Sequence, residues 1–192
     1  MSTPNPAAFA YLETRRSAPA KLFTDPVPAA AELDRILTAA LRVPDHGKLE
    51  PWRLIVLQGN DFSRLADLAE ARARELGGDA EKIAKGRGQY DLGRLAVVVI
   101  SSPKASDKIP LAEQVLSSGA LCMNLVHAAT AAGWGASWLT GWPAHDATFR
   151  ARAFACTEGE TVSGIIHIAT PPSPLPPDRP RPDLARIVQR GL

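Results

Sequence analysis

Residues 95–102, LAVVVISS, carry the strongest strand signal in the chain. Three consecutive valines and an isoleucine favour a pleated backbone. The run is apolar without a break, whereas a strand with one wet face would alternate. A strand of this kind is covered on both faces, so helices are expected above and below it.

Working toward the N-terminus, residues 79–94 (DAEKIAKGRGQYDLGR) read as a helix and then a glycine-broken loop. Residues 60–78 (NDFSRLADLAEARARELGG) read as a helix, with Asp61 as its cap and Gly77 at its end. RLIVLQG, 53–59, is a short buried strand closed by Gly59. Before it, AAAELDRILTAALRV places Leu33, Ile36, Leu37, Ala40 and Leu41 at helical spacing and stops at Pro44. The first helical pattern, PAAFAYLETRRS, carries Phe9 and Leu12, with Arg15 and Arg16 in its last turn, where cations complement the helix dipole. Pro19, Pro26 and Pro28 forbid a long helix between the two patterns.

Toward the C-terminus, residues 111–133 form the longest helix, and its small residues Ser117, Ser118, Gly119 and Ala120 let another backbone come close. Such a helix is expected at the centre of the domain and at a subunit interface. WGASWLTGW brings Trp134, Trp138 and Trp142 into nine residues. DATFRARAFAC is a short helix capped by Asp146, SGIIHIATPP a last strand, and residues 171–192 a proline-rich extended arm. The pattern amounts to one domain over 1–192: a mixed sheet flanked by helices, with no G-x-G-x-x-G turn after any strand.

Composition narrows the function by exclusion. A net charge of +2 carries no nucleic-acid footprint, and no apolar run approaches the roughly 20 residues of a membrane span. The N-terminus lacks a basic stretch followed by an apolar core, so no signal peptide is expected, and the reading is a soluble cytoplasmic protein. Cys122 and Cys156 make neither a disulfide framework nor a zinc site. His46 and Glu50 stand four apart, yet Pro44, Gly47 and Pro51 oppose the helix that would let them share a metal. No serine or cysteine sits in a nucleophile motif, Cys122 reads as an inert core thiol, and His127 and His167 read as core or helix residues. What remains is a set of polar groups on loops: Arg15, Arg16, Ser17, Lys21, His46, Lys48 and Arg53. Arginines and a serine suit a phosphate, and the three tryptophans are either an aromatic wall or core. A phosphate-bearing, aromatic ligand is the reading these residues support.

Three segments together carry more. ETRRSAPAKLF, ALRVPDHGKLEPWRLIVL and AAGWGASWLTGW resemble the nitroreductase family, in particular its YdjA-like NAD(P)H nitroreductase branch, in order and approximate spacing. The resemblance implies an α+β fold with a mixed, mainly antiparallel sheet, and a homodimer holding FMN at the subunit interface. It implies FMN contacts from Arg15, Arg16 and Ser17 to the phosphate, from His46 and Glu50 in the second loop, and, contributed by the partner subunit, from the Trp138, Leu139 and Thr140 stretch beside the ring. Ala128, Ala129, Thr130, Ala131, Ala132 and Gly133 match the segment associated with NAD(P). The activity implied is electron transfer from NAD(P)H to a nitroaromatic or quinone-like small molecule by a ping-pong mechanism. It needs no catalytic side chain and no metal. Another flavin-dependent reduction on the same fold is one alternative; a flavin-binding or interaction protein without turnover, its proline-rich tail docking a partner, is the other. Glu50 stands where the family carries an amide. An ionised carboxylate only accepts hydrogen bonds, so Glu50 is expected to be protonated or paired, with Lys48 and Arg53 nearest in sequence.

Overall fold

The computed structural model describes residues 3–191. At its centre lies β2, Leu95–Ser101, with all seven residues buried. It pairs with β1, Trp52–Gln58, on one side and β4, Thr161–Ala169, on the other; β3, Gly135–Leu139, adds to the outer side of β4. The order is β1-β2-β4-β3, and Val98 sits opposite both Ile55 and Ile165. The fold class expected from sequence holds, with every pairing antiparallel.

Strand alternation assigns the two faces of β2 to two layers. Val97 and Val99 pack with α2, Ala30–Ala40, and α5, Leu111–Ala131, through Leu33, Ile36, Leu121 and Leu125. Ala96, Val98 and Ile100 pack with α3, Asn60–Glu75, and α7, Ala147–Phe154, through Phe62, Leu65 and Phe149. Each fully buried valine stabilises the fold by roughly 1.5–3 kcal/mol relative to exposure. The unbroken apolar run is the signature of that double burial.

The small-residue stretch of α5 does receive another backbone, and it is the loop before β1. Ser117 Oγ donates to the Pro44 carbonyl at 2.6 Å and accepts from Trp52 Nε1 at 3.1 Å. Asn124 Nδ2 donates to the Ala39 and Ala40 carbonyls, both at 3.0 Å, satisfying orphan acceptors at the end of α2. Against the other sheet face, α4, Ala80–Arg87, is clamped to α6, Trp142–His145: Trp142 Nε1 donates to the Lys82 carbonyl at 3.1 Å. A Cβ on Gly86 would come within 2.7 Å of that indole, so the close approach requires glycine. Asp146 caps α7 as expected, accepting from Phe149 N at 2.7 Å.

Three local expectations change. Helix α1, Pro6–Thr14, ends one residue before the arginine pair, because Arg15 turns to ψ 140° and leads the chain toward Pro19. Gly59, at φ 54°, and not Asp61, stands at the head of α3; Asp61 accepts instead from Gln58 N at 3.1 Å and tightens the strand-to-helix turn. The arm contains one helical turn, α8, Leu184–Ile187. No helix among the described residues is long and apolar enough to cross a membrane.

Candidate functional site

The chain leaving α1 forms a ribbon over residues 15–21 that connects two cavities. The first, of about 280 Å³, is lined by Tyr11, Arg15, Arg16, Thr130, Trp134 and Leu175 among others. Tyr11 fixes one wall by donating to the His127 carbonyl at 2.9 Å and by pairing with Thr130 Oγ1. Arg16 donates through Nη1 to the Ser17 carbonyl at 2.6 Å and through Nε to the Pro177 carbonyl at 3.3 Å. Thus the arm folds back over it. Arg15 is half-buried, and its guanidinium makes no hydrogen bond or ion pair among the described residues. A guanidinium in that state suits an anion with forked oxygens. Burial, and to a lesser extent the charge of Arg15, lowers the His127 pKa, so the wall beside the arginines stays uncharged at neutral pH.

The second cavity, of about 370 Å³, lies where the ribbon meets the end of β3. Pro19, Ala20, Leu92 and Leu139 supply apolar surface; Lys21, Lys85, Gln89 and His167 supply polar groups. That size and mixture fall within the range of small-molecule pockets. Gln89 is held against the segment after β3, since a Cβ on Gly141 would collide with its amide. Its Oε1 is buried without a partner among the described residues. Leu139 reaches this cavity, whereas Trp138 is exposed and donates to the Ser163 carbonyl at 3.1 Å. Thr140 follows on the surface.

The tryptophans do not form one wall. Trp134 Nε1 donates to Glu32 at 2.8 Å on the α2 side, Trp138 faces outward, and Trp142 lies under α4. Trp134 and Trp138, four residues apart, share the α5 side of the sheet but take separate partners, and Trp142 begins α6 on the opposite side. The segment from Ala128 to Gly133 is likewise divided. Ala129 is fully buried in the core, Thr130 and Gly133 line the arginine cavity, and Ala128, Ala131 and Ala132 line a shallow groove with Glu32, Arg35 and Ile36.

The second loop is built with unusual backbone. Gly47 (φ 73°), Lys48 (φ 54°) and Glu50 (φ 46°) all occupy the left-handed region. Two of them are not glycine, and strain of that sort is found at functional loops. Asp45 holds the turn, accepting from Leu49 N at 3.1 Å and Glu50 N at 2.9 Å. His46 Nδ1 lies 2.7 Å from Glu113 Oε2. Glu50 is exposed and takes no part in an ion pair among the described residues. The expected Arg53 partner is committed elsewhere: it grips Glu160 through Nε and Nη2. β1 points Arg53 toward the loop after α7, away from Glu50.

One chain does not join this loop to the arginine ribbon. The loop meets α5 at Glu113, and the ribbon's anchor meets it at His127 and Thr130. Fourteen residues of helix separate Glu113 from His127, about 21 Å at 1.5 Å per residue. The ribbon and the end of β3 are brought together; His46 and Glu50 stand apart from them. Lys85, Gln89 and His167 were not singled out as site residues by sequence. For Lys85 and Gln89 the GRG fragment at 86–88 is the available signal, since Gly86 is what lets α4 pack close enough to bring them in. His167 gave the same signal as any core histidine.

The nitroreductase family model matches residues 12–170, which include the arginine pair, the second loop and all of the second cavity's lining. The Escherichia coli (strain K12) protein YdjA, an NAD(P)H nitroreductase by name, is 32% identical over 164 residues, covering 85% of this chain and 88% of its own length. Among solved structures, a nitroreductase-like family protein from Bacillus cereus superposes with a TM-score of 0.77 at 22% identity, over 99% of this chain and 98% of that one. NfnB from sphigopyxis sp. strain HMH, described as an FMN and NADPH-dependent nitroreductase, does so with a TM-score of 0.74 at 19% identity, over 96% and 99%. With the family model covering most of the chain and a relative 32% identical over 85% of it, the chain belongs to the nitroreductase family.

Proposed function

We propose that this chain is an FMN-dependent oxidoreductase that takes electrons from NAD(P)H and passes them to nitroaromatic or quinone-like acceptors in a ping-pong cycle. The observation that carries the reading is Arg15: a half-buried, unpaired guanidinium opening on one cavity, with a ring-sized cavity at the other end of the same seven-residue ribbon. That arrangement fits a phosphate at one end of a ligand and a planar ring at the other. When bound, FMN supplies hydride acceptance and its release as electrons to a second substrate. Arg15, Arg16 and Ser17 would bind the phosphate, Lys21 and Gln89 the ring's polar edge, and Leu139 the ring's apolar surface. No side-chain acid or nucleophile is required.

The proposed unit is a homodimer with FMN between the subunits. Helix α1 has no buried residue and exposes Phe9 and Leu12; α5 exposes Leu111, Val115 and Leu116; the arm exposes Leu175, Leu184 and Ile187. Apolar side chains at such density mark an interaction surface. A second copy covering them would bring the His46–Glu50 loop of one subunit to the ribbon of the other, which a single chain does not do.

Purified protein should be yellow, bleach with NADH or NADPH under anaerobic conditions, and recolour with a nitroaromatic or quinone. Initial rates against both substrates should give parallel double-reciprocal lines. Light scattering should report twice the 20.5 kDa chain mass. A colourless protein that FMN cannot reconstitute would overturn the reading, as would turnover by a flavin-loaded monomer for the interface.

A further inference from the structure

His167 is the buried titratable group that this mechanism leaves unused. It sits on β4 opposite Ser137 of β3, 4% exposed, on the same sheet face as Ile165 and Leu139. One side of its ring meets Phe62, with ring centroids 6.1 Å apart and planes tilted by 30°. Another side lines the cavity with Lys21, Lys85, Gln89 and Leu139. Neither ring nitrogen makes a hydrogen bond among the described residues. The two nitrogens are absent from the buried, partnerless atoms, so they open on the cavity and leave one donor and one acceptor for whatever occupies it.

Resting on the FMN reading above, we infer that His167 is a ligand-contacting residue. Its ring N–H donates to an oxygen of a conjugated ring seated between Lys21, Lys85, Gln89 and Leu139. Three further observations bear on this. Burial pushes the imidazole pKa down to about 4, so the ring is neutral at physiological pH and carries one donor and one acceptor. Gln89 lines the same cavity, and its amide N–H group is a donor that suits such an oxygen. Lys85 is paired with Glu81 Oε1 at 2.6 Å, so the free positive charge at the cavity is that of Lys21, and it favours an oxygen carrying negative charge. Two sources share this chemistry: the carbonyl edge of the flavin, and the nitro or quinone oxygen of the acceptor.

The test compares the parent with His167→Leu, which removes both ring nitrogens, and His167→Gln, which keeps a donor at similar reach. FMN affinity is read by fluorescence quenching on apo-protein with no acceptor present. The KM for a nitroaromatic is read at saturating FMN. If the flavin is the source, His167→Leu raises the FMN Kd about tenfold and shifts the bound-flavin absorption band, and His167→Gln recovers most of both. If the acceptor is the source, FMN affinity is unchanged while KM rises about tenfold at constant kcat. As a control independent of folding, the ring resonances of His167 in the parent should move on addition of FMN or acceptor. Unmoved resonances, or an FMN Kd and KM within twofold in both variants, would overturn the assignment. A parent that binds no FMN would overturn the function itself; a parent and variants that bind it equally, with equal KM, overturn only the role of His167.

Discussion

The Arg53 guanidinium grips the Glu160 carboxylate as a fork, with Nε 2.8 Å from Oε1 and Nη2 2.9 Å from Oε2. The same Nη2 donates to the Phe154 carbonyl at 3.0 Å, and Glu160 also accepts from Thr157 N at 3.0 Å. One pair thereby ties β1, the end of α7 and the turn into β4. It also removes Arg53 from the neighbourhood of Glu50.

This fork makes stability pH-dependent. The hydrogen bond from Arg53, aided by Thr157 N–H, holds the Glu160 carboxyl at about 2, below its ordinary 4.5. A carboxylate depressed in the folded state stabilises the fold above its unfolded pKa and loses that contribution as pH falls through the folded one. Glu160→Gln should therefore lower Tm by roughly 3–8 °C near neutrality, equivalent to about 1–3 kcal/mol. The gap between parent and variant should close as pH falls from 4.5 toward 2. Urea midpoints across that range would measure it, and a gap independent of pH would refute the linkage.

A second prediction concerns Ser117, whose hydroxyl donates to Pro44 O and accepts from Trp52 Nε1. Ser117→Ala leaves the half-buried Trp52 indole N–H and the Pro44 carbonyl without their partner, at a cost of roughly 1 kcal/mol. The loss should exceed that of Ser118→Ala, whose contacts to Pro51 and Gln114 are both 3.4 Å. Thermal unfolding of the two variants distinguishes them. Equal losses would mean that the loop is not pinned through Ser117.

These two cases also separate what was legible in sequence from what was not. The double burial of β2 is written in its own residues, because burial on both faces removes the need for alternation. The smallness of Ser117 and Ser118 announced a close approach but not its partner, since 73 residues separate Pro44 from Ser117. Arg53 and Glu160 are 107 residues apart, and only the sheet order brings them together. Proximity in sequence favoured Glu50 as the partner and misled. The tryptophans misled in the same way: two on one sheet side bind separate partners and the third starts a helix on the other. Arg15, Arg16 and Leu139 do line the cavities, because a short ribbon and a strand end keep local order in space, whereas Ser17 lines neither. Lys85 and Gln89, around the end of α4, and His167, on β4, come from two distant segments and needed the fold.

A third prediction separates phosphate from ring. If Arg15 and Arg16 grip a phosphate, Arg15→Gln should raise the FMN Kd by about 10–100-fold, the range of one or two charge-assisted hydrogen bonds. Riboflavin, which lacks the phosphate, should bind parent and variant alike. Arg16→Gln should act less on FMN, because Arg16 already donates to Ser17 and Pro177 carbonyls. Fluorescence titration of apo-protein with both flavins reads all of this. Equal losses for riboflavin and FMN would place the arginines away from the phosphate.

The last prediction concerns Glu50. Its backbone is held at φ 46° by the Asp45 carboxylate, which accepts from its N–H, so the side chain is displayed at a fixed point of the loop. It lies on the surface with no ion pair among the described residues, so its charge is not cancelled within the chain. A second copy that brings this loop to the ring would set a carboxylate beside a cofactor that becomes negative on reduction. Like charges oppose each other, so Glu50 would lower the flavin midpoint potential, and Glu50→Gln should raise it. A tenfold change in the equilibrium corresponds to about 30 mV for two electrons, and a rise of that order is expected at low ionic strength. Because the loop is solvent-exposed, added salt should shrink the difference. Glu50→Gly serves as the backbone control: glycine accepts a positive φ without strain, so it should raise the potential as Gln does while preserving or improving stability. Potentials that match the parent in both variants would mean that no partner loop reaches the ring.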